Sequence, residues 1–114
     1  MVTLAVGAVV LLPFPFSDLS QSKLRPALVL AEAGKGDWIL SQITSSPYSD
    51  SRAIKISLED FEQGSLRVMS YARPGKLFTA NRSLIVGQVG ILKADLLRRV
   101  VDAVSNLLYE GLKT

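Results

Sequence analysis

Cysteine and histidine are both absent from the 114-residue sequence. Without cysteine the chain can form neither disulfides nor thiol nucleophiles, and without both residue types it cannot build zinc sites with Cys or His ligands. The absence of histidine also excludes a Ser-His-Asp triad and a histidine acting as general base. Several common enzyme mechanisms are therefore excluded together.

Neither sign of charge is in large excess over the other. The chain has 13 Lys and Arg residues against 10 Asp and Glu residues, which gives a formal net charge of +3. This mild basic excess favours anionic partners such as nucleic acid without requiring them. Hydrophobic residues make up 48% and charged residues 20% of the sequence, which is typical of a packed globular chain. We expect one domain over residues 1–114.

Long hydrophobic runs are missing as well. The apolar opening, residues 1–12, has no Lys or Arg before its apolar part and lacks the small-residue cleavage site of a signal peptide. It is also shorter than the roughly 20 residues that a membrane-spanning helix needs. The sequence therefore predicts a cytoplasmic protein without a membrane partner.

The most informative stretch is residues 13–30, which begins with the sequence Pro-Phe-Pro-Phe. Each proline lacks an N–H group and disfavours helix in the preceding residue, so this repeat is not helical. A polar loop at residues 17–22 follows, and Arg25 and Pro26 then begin a new apolar run. The guanidinium of Arg25 has five donors and stays charged at any working pH, which suits it to phosphate binding. A solvated arginine on an edge strand is the alternative interpretation.

Short apolar segments separated by turn residues predict a mainly β fold. Residues 8–12 have the continuous apolar character of a strand buried on both faces, and residues 53–56 alternate like a half-buried strand. Residues 34–37 (Gly-Lys-Gly-Asp) predict a tight turn, and residues 73–76 (Arg-Pro-Gly-Lys) predict another. Further extended or short apolar segments are expected at residues 27–31, 38–43, 66–72, 77–79 and 84–86.

Two segments carry helical signals. Residues 57–64 begin with Ser57 as a suitable N-cap, continue with acidic residues and end at Gly64, which predicts one or two helical turns. Apolar residues recur with helical spacing over residues 94–110 and predict a longer amphipathic helix. Together these elements predict a small, strongly curved antiparallel sheet or partly open barrel with a C-terminal helix.

Five motifs give the chain a resemblance to a known family over residues 7–108. In their order and combination they resemble the PemK/MazF family of toxin endoribonucleases. They are Gly7 with the strand after it, Pro-Phe-Pro-Phe-Ser-Asp-Leu at 13–19, Arg-Pro-Ala-Leu-Val-Leu at 25–30, Gln-Ile-Thr-Ser at 42–45, and Ser-Tyr-Ala-Arg-Pro at 70–74 with Lys-Leu-Phe-Thr at 76–79.

The resemblance implies a small SH3-like barrel, a homodimer and a cognate antitoxin that blocks the site. It also implies cleavage of single-stranded RNA without a metal or other cofactor. In that family the arginine of Arg-Pro and the threonine of Ile-Thr-Ser form the catalytic pair, which corresponds here to Arg25 and Thr44. Cleavage would proceed by attack of the ribose 2′-hydroxyl and leave 2′,3′-cyclic phosphate and 5′-hydroxyl ends.

RNA contacts are expected around this pair. Aromatic rings can stack on bases, and polar or cationic side chains can contact phosphates and base edges. Phe14 is the alternative to Phe16 for stacking, and core packing is the competing interpretation for both rings. The expected RNA-binding residues are Phe16, Ser17, Gln21, Lys23, Gln42, Ser45, Arg73 and Lys76.

The residues leave the general acid and base unassigned, because an arginine is a poor base. They also leave an alternative function open, namely a non-catalytic binding module on the same fold that inhibits a protein target such as DNA gyrase. An inactive relative that binds only antitoxin and RNA is a third possibility. The pair Arg25 and Thr44 favours the ribonuclease, since a gyrase-binding protein does not need it.

Overall fold

A computed structural model describes residues 4–14, 23–47 and 49–113 of the chain. Over these ranges the structure consists of seven strands, two short 3-10 helices and one α-helix. The 3-10 helices are Leu58–Asp60 and Arg82–Leu84, and the α-helix, α1, is Ala94–Gly111. The strands are β1 (Ala8–Pro13), β2 (Leu24–Gly34), β3 (Asp37–Thr44), β4 (Ile54–Ile56), β5 (Phe61–Gly64), β6 (Ser70–Asn81) and β7 (Gly87–Leu92).

All seven strands belong to one antiparallel, curled sheet in the order β4-β6-β3-β2-β1-β7-β5. The first strand therefore lies between β2 and β7, which come from opposite ends of the chain. The tight turn that the sequence predicts between β2 and β3 is present, and Gly34, Lys35 and Gly36 have positive φ angles there. The expected mainly β fold with a C-terminal helix is confirmed.

Both faces of the sheet are buried in its central strands. On one face, which we call the helix face, Val9, Leu28 and Ile43 form a core with Leu96 and Val100 of α1. On the other face, Val10, Ala27 and Leu40 belong to a second core. We call it the open face because no residue of α1 belongs to the part of this core that the structure describes. Residues one position apart thus enter different cores, because successive side chains of a strand point to opposite faces. The continuous apolar runs in β1 and β2 follow from this double burial.

The helix α1 confirms the helical period of the C-terminal sequence, and it ends one residue beyond the predicted segment. Leu96 and Val100 are buried against the sheet, whereas Leu108 near the C-terminal end is 63% exposed. The apolar stripe therefore packs mainly through its N-terminal half. Among the residues that the structure describes, no helix combines the length and apolar character needed to cross a bilayer.

The helix expected at residues 57–64 is wrong for the most part. Only the 3-10 turn Leu58–Asp60 is helical, and there the Ser57 N–H donates to Asp60 Oδ2 at 2.7 Å. The chain then continues as β5, which pairs with β7 and buries Phe61. The edge of β7 requires a strand partner, and this long-range pairing overrides the local helical signals.

The turn expected at residues 73–76 is also wrong in part, because β6 continues through it. On β3, Ile43 pairs with Ala72 and Ser41 pairs with Leu77, so that the four residues of β6 from Arg73 to Lys76 lie opposite Gln42 alone. The turn residues therefore form a bulge within one strand rather than a connection between two. The segment expected as extended at 66–72 is strand only from Ser70 onwards.

Candidate active site

Arg25 lies at the start of β2, where it pairs with Leu12 of β1 and is exposed to solvent. The last pair between β2 and β3 is Ala27 with Gln42. Continuing this antiparallel register by two residues on each strand sets Arg25 opposite Thr44. Residues an even number of positions apart on a strand share a face. Arg25 and Thr44 therefore belong to the same face as Ala27 and Leu40, the open face, and lie just beyond that core. The register therefore predicts that Arg25 and Thr44 lie near each other, just beyond the last pair of the two strands.

Thr44 is the last residue of β3 and is half-buried. Its hydroxyl donates to the Ser46 carbonyl at 3.2 Å and accepts from the Ser46 N–H at 3.1 Å. This local turn fixes the position of the oxygen, while the hydroxyl hydrogen can rotate to another acceptor. Thr44 can therefore donate to a bound phosphate without moving its backbone.

A second set of polar side chains lies next to this pair. The Arg73 guanidinium donates from Nε to Asp50 Oδ2 at 2.8 Å and from Nη1 to Gln42 Oε1 at 3.4 Å. The Asp50 side chain is 16% exposed and that of Arg73 is 27% exposed, so this ion pair is partly shielded from water. The side-chain hydrogen bond from Arg73 lowers the pKa of Asp50 below its ordinary value, and burial opposes this effect.

The β6 bulge determines where Arg73 lies. The fully buried Ser41 hydroxyl donates to the Arg73 carbonyl at 2.7 Å, which attaches the bulge to β3. Pro74 in the same bulge is fully buried. The backbone at Arg73 is therefore fixed by Ser41 of β3, while its side chain extends towards Gln42 and Asp50.

A groove of about 490 Å³ adjoins this cluster and reaches the C-terminal half of α1. Arg52 on its wall forms a 2.8 Å ion pair with Glu110 of α1, although both side chains are about half exposed. Cationic residues therefore outnumber carboxylates along this surface. The groove is lined by Pro47, Ser49, Asp50, Arg52, Arg73, Gly75, Lys76 and Leu107.

Comparison with known families shows where this arrangement belongs. Residues 5–108 match the model of the PemK-like, MazF-like toxin of type II toxin–antitoxin systems. The chain belongs to this family. The resemblance that the sequence motifs carried is thereby confirmed. No curated protein matches the chain.

Solved structures show the same fold as this PemK/MazF-family chain. MazF from Deinococcus radiodurans has a TM-score of 0.73 at 24% identity, with 95% of this chain and 98% of that chain covered. An endoribonuclease from a mycobacterial species, solved with its cognate antitoxin, has a TM-score of 0.73 at 11% identity, with 93% and 95% covered. The Mycobacterium tuberculosis toxin MazF-mt6 has a TM-score of 0.66 at 17% identity, with 87% and 93% covered.

Among the predicted site residues of this family member, Gln42 and Arg73 are in contact. Thr44 follows Gln42 by two residues on β3, and Arg25 precedes Ala27, the strand partner of Gln42, by two residues on β2. Lys76 lines the adjoining groove, and Lys23 and Ser45, which are close in sequence to Arg25 and Thr44, are exposed. These predicted roles stay predictions. Phe16, Ser17 and Gln21 lie outside the described residues.

Two further residues, Phe14 and Asp50, also bear on the predicted site. Phe14 is 4% exposed and packs edge-to-face on Phe78 with ring centroids 4.9 Å apart, which matches core packing rather than base stacking. Asp50, which the sequence analysis missed, holds Arg73. Its Oδ1 also accepts from the Arg52 N–H at 3.0 Å, a turn contact that is common for aspartate and could have drawn attention to it. No group of three acidic residues that could hold a metal ion occurs within the described ranges.

Proposed function

We propose that the protein is the toxin of a type II toxin–antitoxin system and acts as a sequence-specific, metal-independent endoribonuclease on single-stranded RNA such as mRNA. The observation that carries this proposal is the pairing of Ala27 with Gln42, because continuing this register by two residues on each strand would set Arg25 opposite Thr44. Membership of the PemK/MazF family supports it. So does the fold shared with an endoribonuclease from a mycobacterial species.

Cleavage without a metal requires the ribose 2′-hydroxyl to attack the adjacent phosphorus. The 5′-oxygen of the next nucleotide then leaves, and the products carry 2′,3′-cyclic phosphate and 5′-hydroxyl ends. Negative charge builds up on the two non-bridging oxygens in the transition state. The Arg25 guanidinium can donate two parallel hydrogen bonds to these oxygens, and the Thr44 hydroxyl can donate one more.

The proton transfers are not assigned to these two residues. Asp50 is linked to the site through Arg73, but its lowered pKa and its bond to Arg73 make it a weak base. Arginine stays protonated at working pH and is equally unsuited. In this proposal Arg25 and Thr44 therefore orient the phosphate and stabilise its negative charge in the transition state, and they do not transfer protons.

The proposal includes two protein partners. A homodimer follows from family membership, and a cognate antitoxin is expected because a structural neighbour was solved in complex with one. The basic groove beside Arg73 suits an acidic antitoxin segment that folds on binding and blocks RNA. We place this toxin in the cytoplasm, where mRNA is translated.

The deciding experiment incubates the purified protein with a long single-stranded RNA in excess EDTA and maps the cut ends and their chemistry. We expect discrete cuts with cyclic-phosphate and 5′-hydroxyl ends. Arg25→Ala or Thr44→Ala should lower the rate by about 10²- to 10³-fold, as loss of one transition-state donor does. The control is Arg98→Ala, which removes an exposed arginine from α1 on the helix face and should cleave normally.

Two results would contradict the proposal. Intact RNA from a folded wild-type protein would favour a binding module that acts on a protein target such as DNA gyrase. Full activity of both Arg25→Ala and Thr44→Ala would show that cleavage takes place elsewhere on the protein. Circular dichroism and size-exclusion chromatography of each variant separate these results from loss of the fold or of the dimer.

A further inference from the structure

The Gln42 amide is oriented by a contact on one side only. Its Oε1 accepts from Arg73 Nη1 at 3.4 Å, and in the described part of the chain its Nε2 amino group has no hydrogen-bond partner. An amide carries two donors on nitrogen and two acceptor sites on oxygen. Because Arg73 can only donate, it selects the orientation in which the amide oxygen faces Arg73 and the amino group faces away.

Gln42 lies beside the catalytic pair. It is two residues before Thr44 on the same strand, a separation of about 7 Å on the same face. It also pairs with Ala27, which is two residues after Arg25 on β2. Its half-buried side chain therefore lies next to the position proposed for the scissile phosphate, with its donors available.

Arg73 is itself held at two points, its backbone carbonyl and its Nε. Its carbonyl accepts from the buried Ser41 hydroxyl and its Nε donates to Asp50. The backbone and one edge of the guanidinium are thus fixed before any ligand binds. Because Asp50 holds the Arg73 guanidinium, this group orients the Gln42 amide and is less able to turn towards a bound RNA.

We propose that Gln42 donates from Nε2 to an acceptor atom of the bound RNA, and that Asp50 and Arg73 are positioning residues that fix its amide for this contact. This inference rests on the proposed function, because it uses the same site and the same substrate. It assigns to Arg73 an action through Gln42 in place of direct contact with RNA. The acceptor is a phosphate oxygen or an acceptor on a base edge.

The test is a double-mutant cycle between Gln42 and Arg73. Gln42→Met removes the donors without adding charge, and Arg73→Lys keeps the charge but loses the planar fork that orients the amide. We expect Gln42→Met to lower kcat/KM by about tenfold, the usual effect of losing one hydrogen bond to a charged or buried group. In the Gln42→Met background, Arg73→Lys should have no further effect. Matched controls are Gln63→Met on β5 and Arg98→Lys on α1, both exposed.

The same cycle is measured on binding of single-stranded RNA with 2′-O-methyl groups, which lacks the nucleophile. This second readout distinguishes the two proposals. If the wild type binds but does not cleave RNA, the ribonuclease proposal fails while the binding cycle still tests Gln42. Equal losses from Arg73→Lys in both backgrounds, normal binding by Gln42→Met, or no RNA binding by the wild type would overturn the inference.

Maps of the cut sites identify the acceptor. A change in the cleaved sequences for Gln42→Met would mean that the amide contacts a base edge. A uniform loss at all sites would mean that it contacts a phosphate. Either result supports donation by Gln42, and normal rates at every site would contradict it.

Discussion

Asp50 connects the stability of the site to its chemistry at the scale of single residues. Its carboxylate is the partner of Arg73 in a partly shielded ion pair, and Arg73 in turn contacts Gln42. Loss of this carboxylate would leave a guanidinium without its strongest partner near the proposed RNA site. The two charges are therefore expected to contribute to folding as well as to the orientation of Gln42.

The lowered pKa of Asp50 predicts a pH-dependent contribution to stability. A carboxyl group with a lower pKa in the folded state stabilises the fold at pH values above its unfolded pKa. That contribution disappears as the pH falls through the folded pKa, because both states are then protonated. We expect Asp50→Ala to lose about 1 to 3 kcal/mol at pH 7 and the difference from wild type to shrink below pH 4.

Chemical denaturation between pH 7 and pH 2 measures this difference. Glu32→Ala, which removes an exposed carboxylate from β2, is the control and should change stability much less. A loss for Asp50→Ala that stays the same at every pH would mean that the side chain acts through packing rather than through its charge.

The residues of the site differ in how far the sequence could identify them. Arg25 and Thr44 belong to short motifs, Arg-Pro and Ile-Thr-Ser, and the strand register then brings them together. Asp50 carries no such motif, and its partner Arg73 is 23 residues away in the sequence. A contact of this kind depends on the folded arrangement of β6 and the segment before β4, which local patterns do not determine.

Long-range pairing decides the secondary structure where local signals oppose it. Residues 57–64 carry a helical N-cap and a terminal glycine, yet β5 forms there because β7 needs a partner on its outer edge. By contrast, the period of α1 and the strands β1 to β3 agree with the packing, and the sequence predicts them well. The β6 bulge is intermediate, since its residues predict a turn but not the continuous strand that contains it.

Gly64 gives the element scale its own prediction. Its φ angle is +74°, and a Cβ atom there would lie against the Val89 carbonyl and Gly90 of β7. Gly64→Ala should therefore separate β5 from β7 and lower the melting temperature by several degrees or more. Thermal unfolding followed by circular dichroism measures this effect.

The control for Gly64→Ala is Gly34→Ala. Gly34 also has a positive φ, +96°, but a Cβ atom there meets nothing within 4 Å. Gly34→Ala should therefore lose only the stability that corresponds to the backbone strain, about 1 to 2 kcal/mol. Equal destabilisation by the two substitutions would show that the contact with β7 is unimportant.

The whole molecule carries a net charge of +3, and cationic residues line the groove beside the site. Binding of single-stranded RNA should therefore weaken with salt, with a slope of log K against log salt of about −0.7 for each phosphate contacted. We expect Arg25→Ala to make the slope shallower by about 0.7 and Arg98→Ala to leave it unchanged. Fluorescence anisotropy with 2′-O-methyl RNA between 50 and about 300 mM salt measures both slopes. An unchanged slope for Arg25→Ala would mean that Arg25 contacts no phosphate.

The central position of β1 has a consequence for protein synthesis. Its two neighbours are β2, which follows immediately, and β7, which ends at Leu92. A ribosome that makes the chain must reach the end of β7 at Leu92 before β1 can be paired on both edges. Until then the nascent chain presents an unpaired apolar edge that is prone to aggregation and proteolysis. Chains that end before β7 should therefore be degraded rather than accumulate in a folded form.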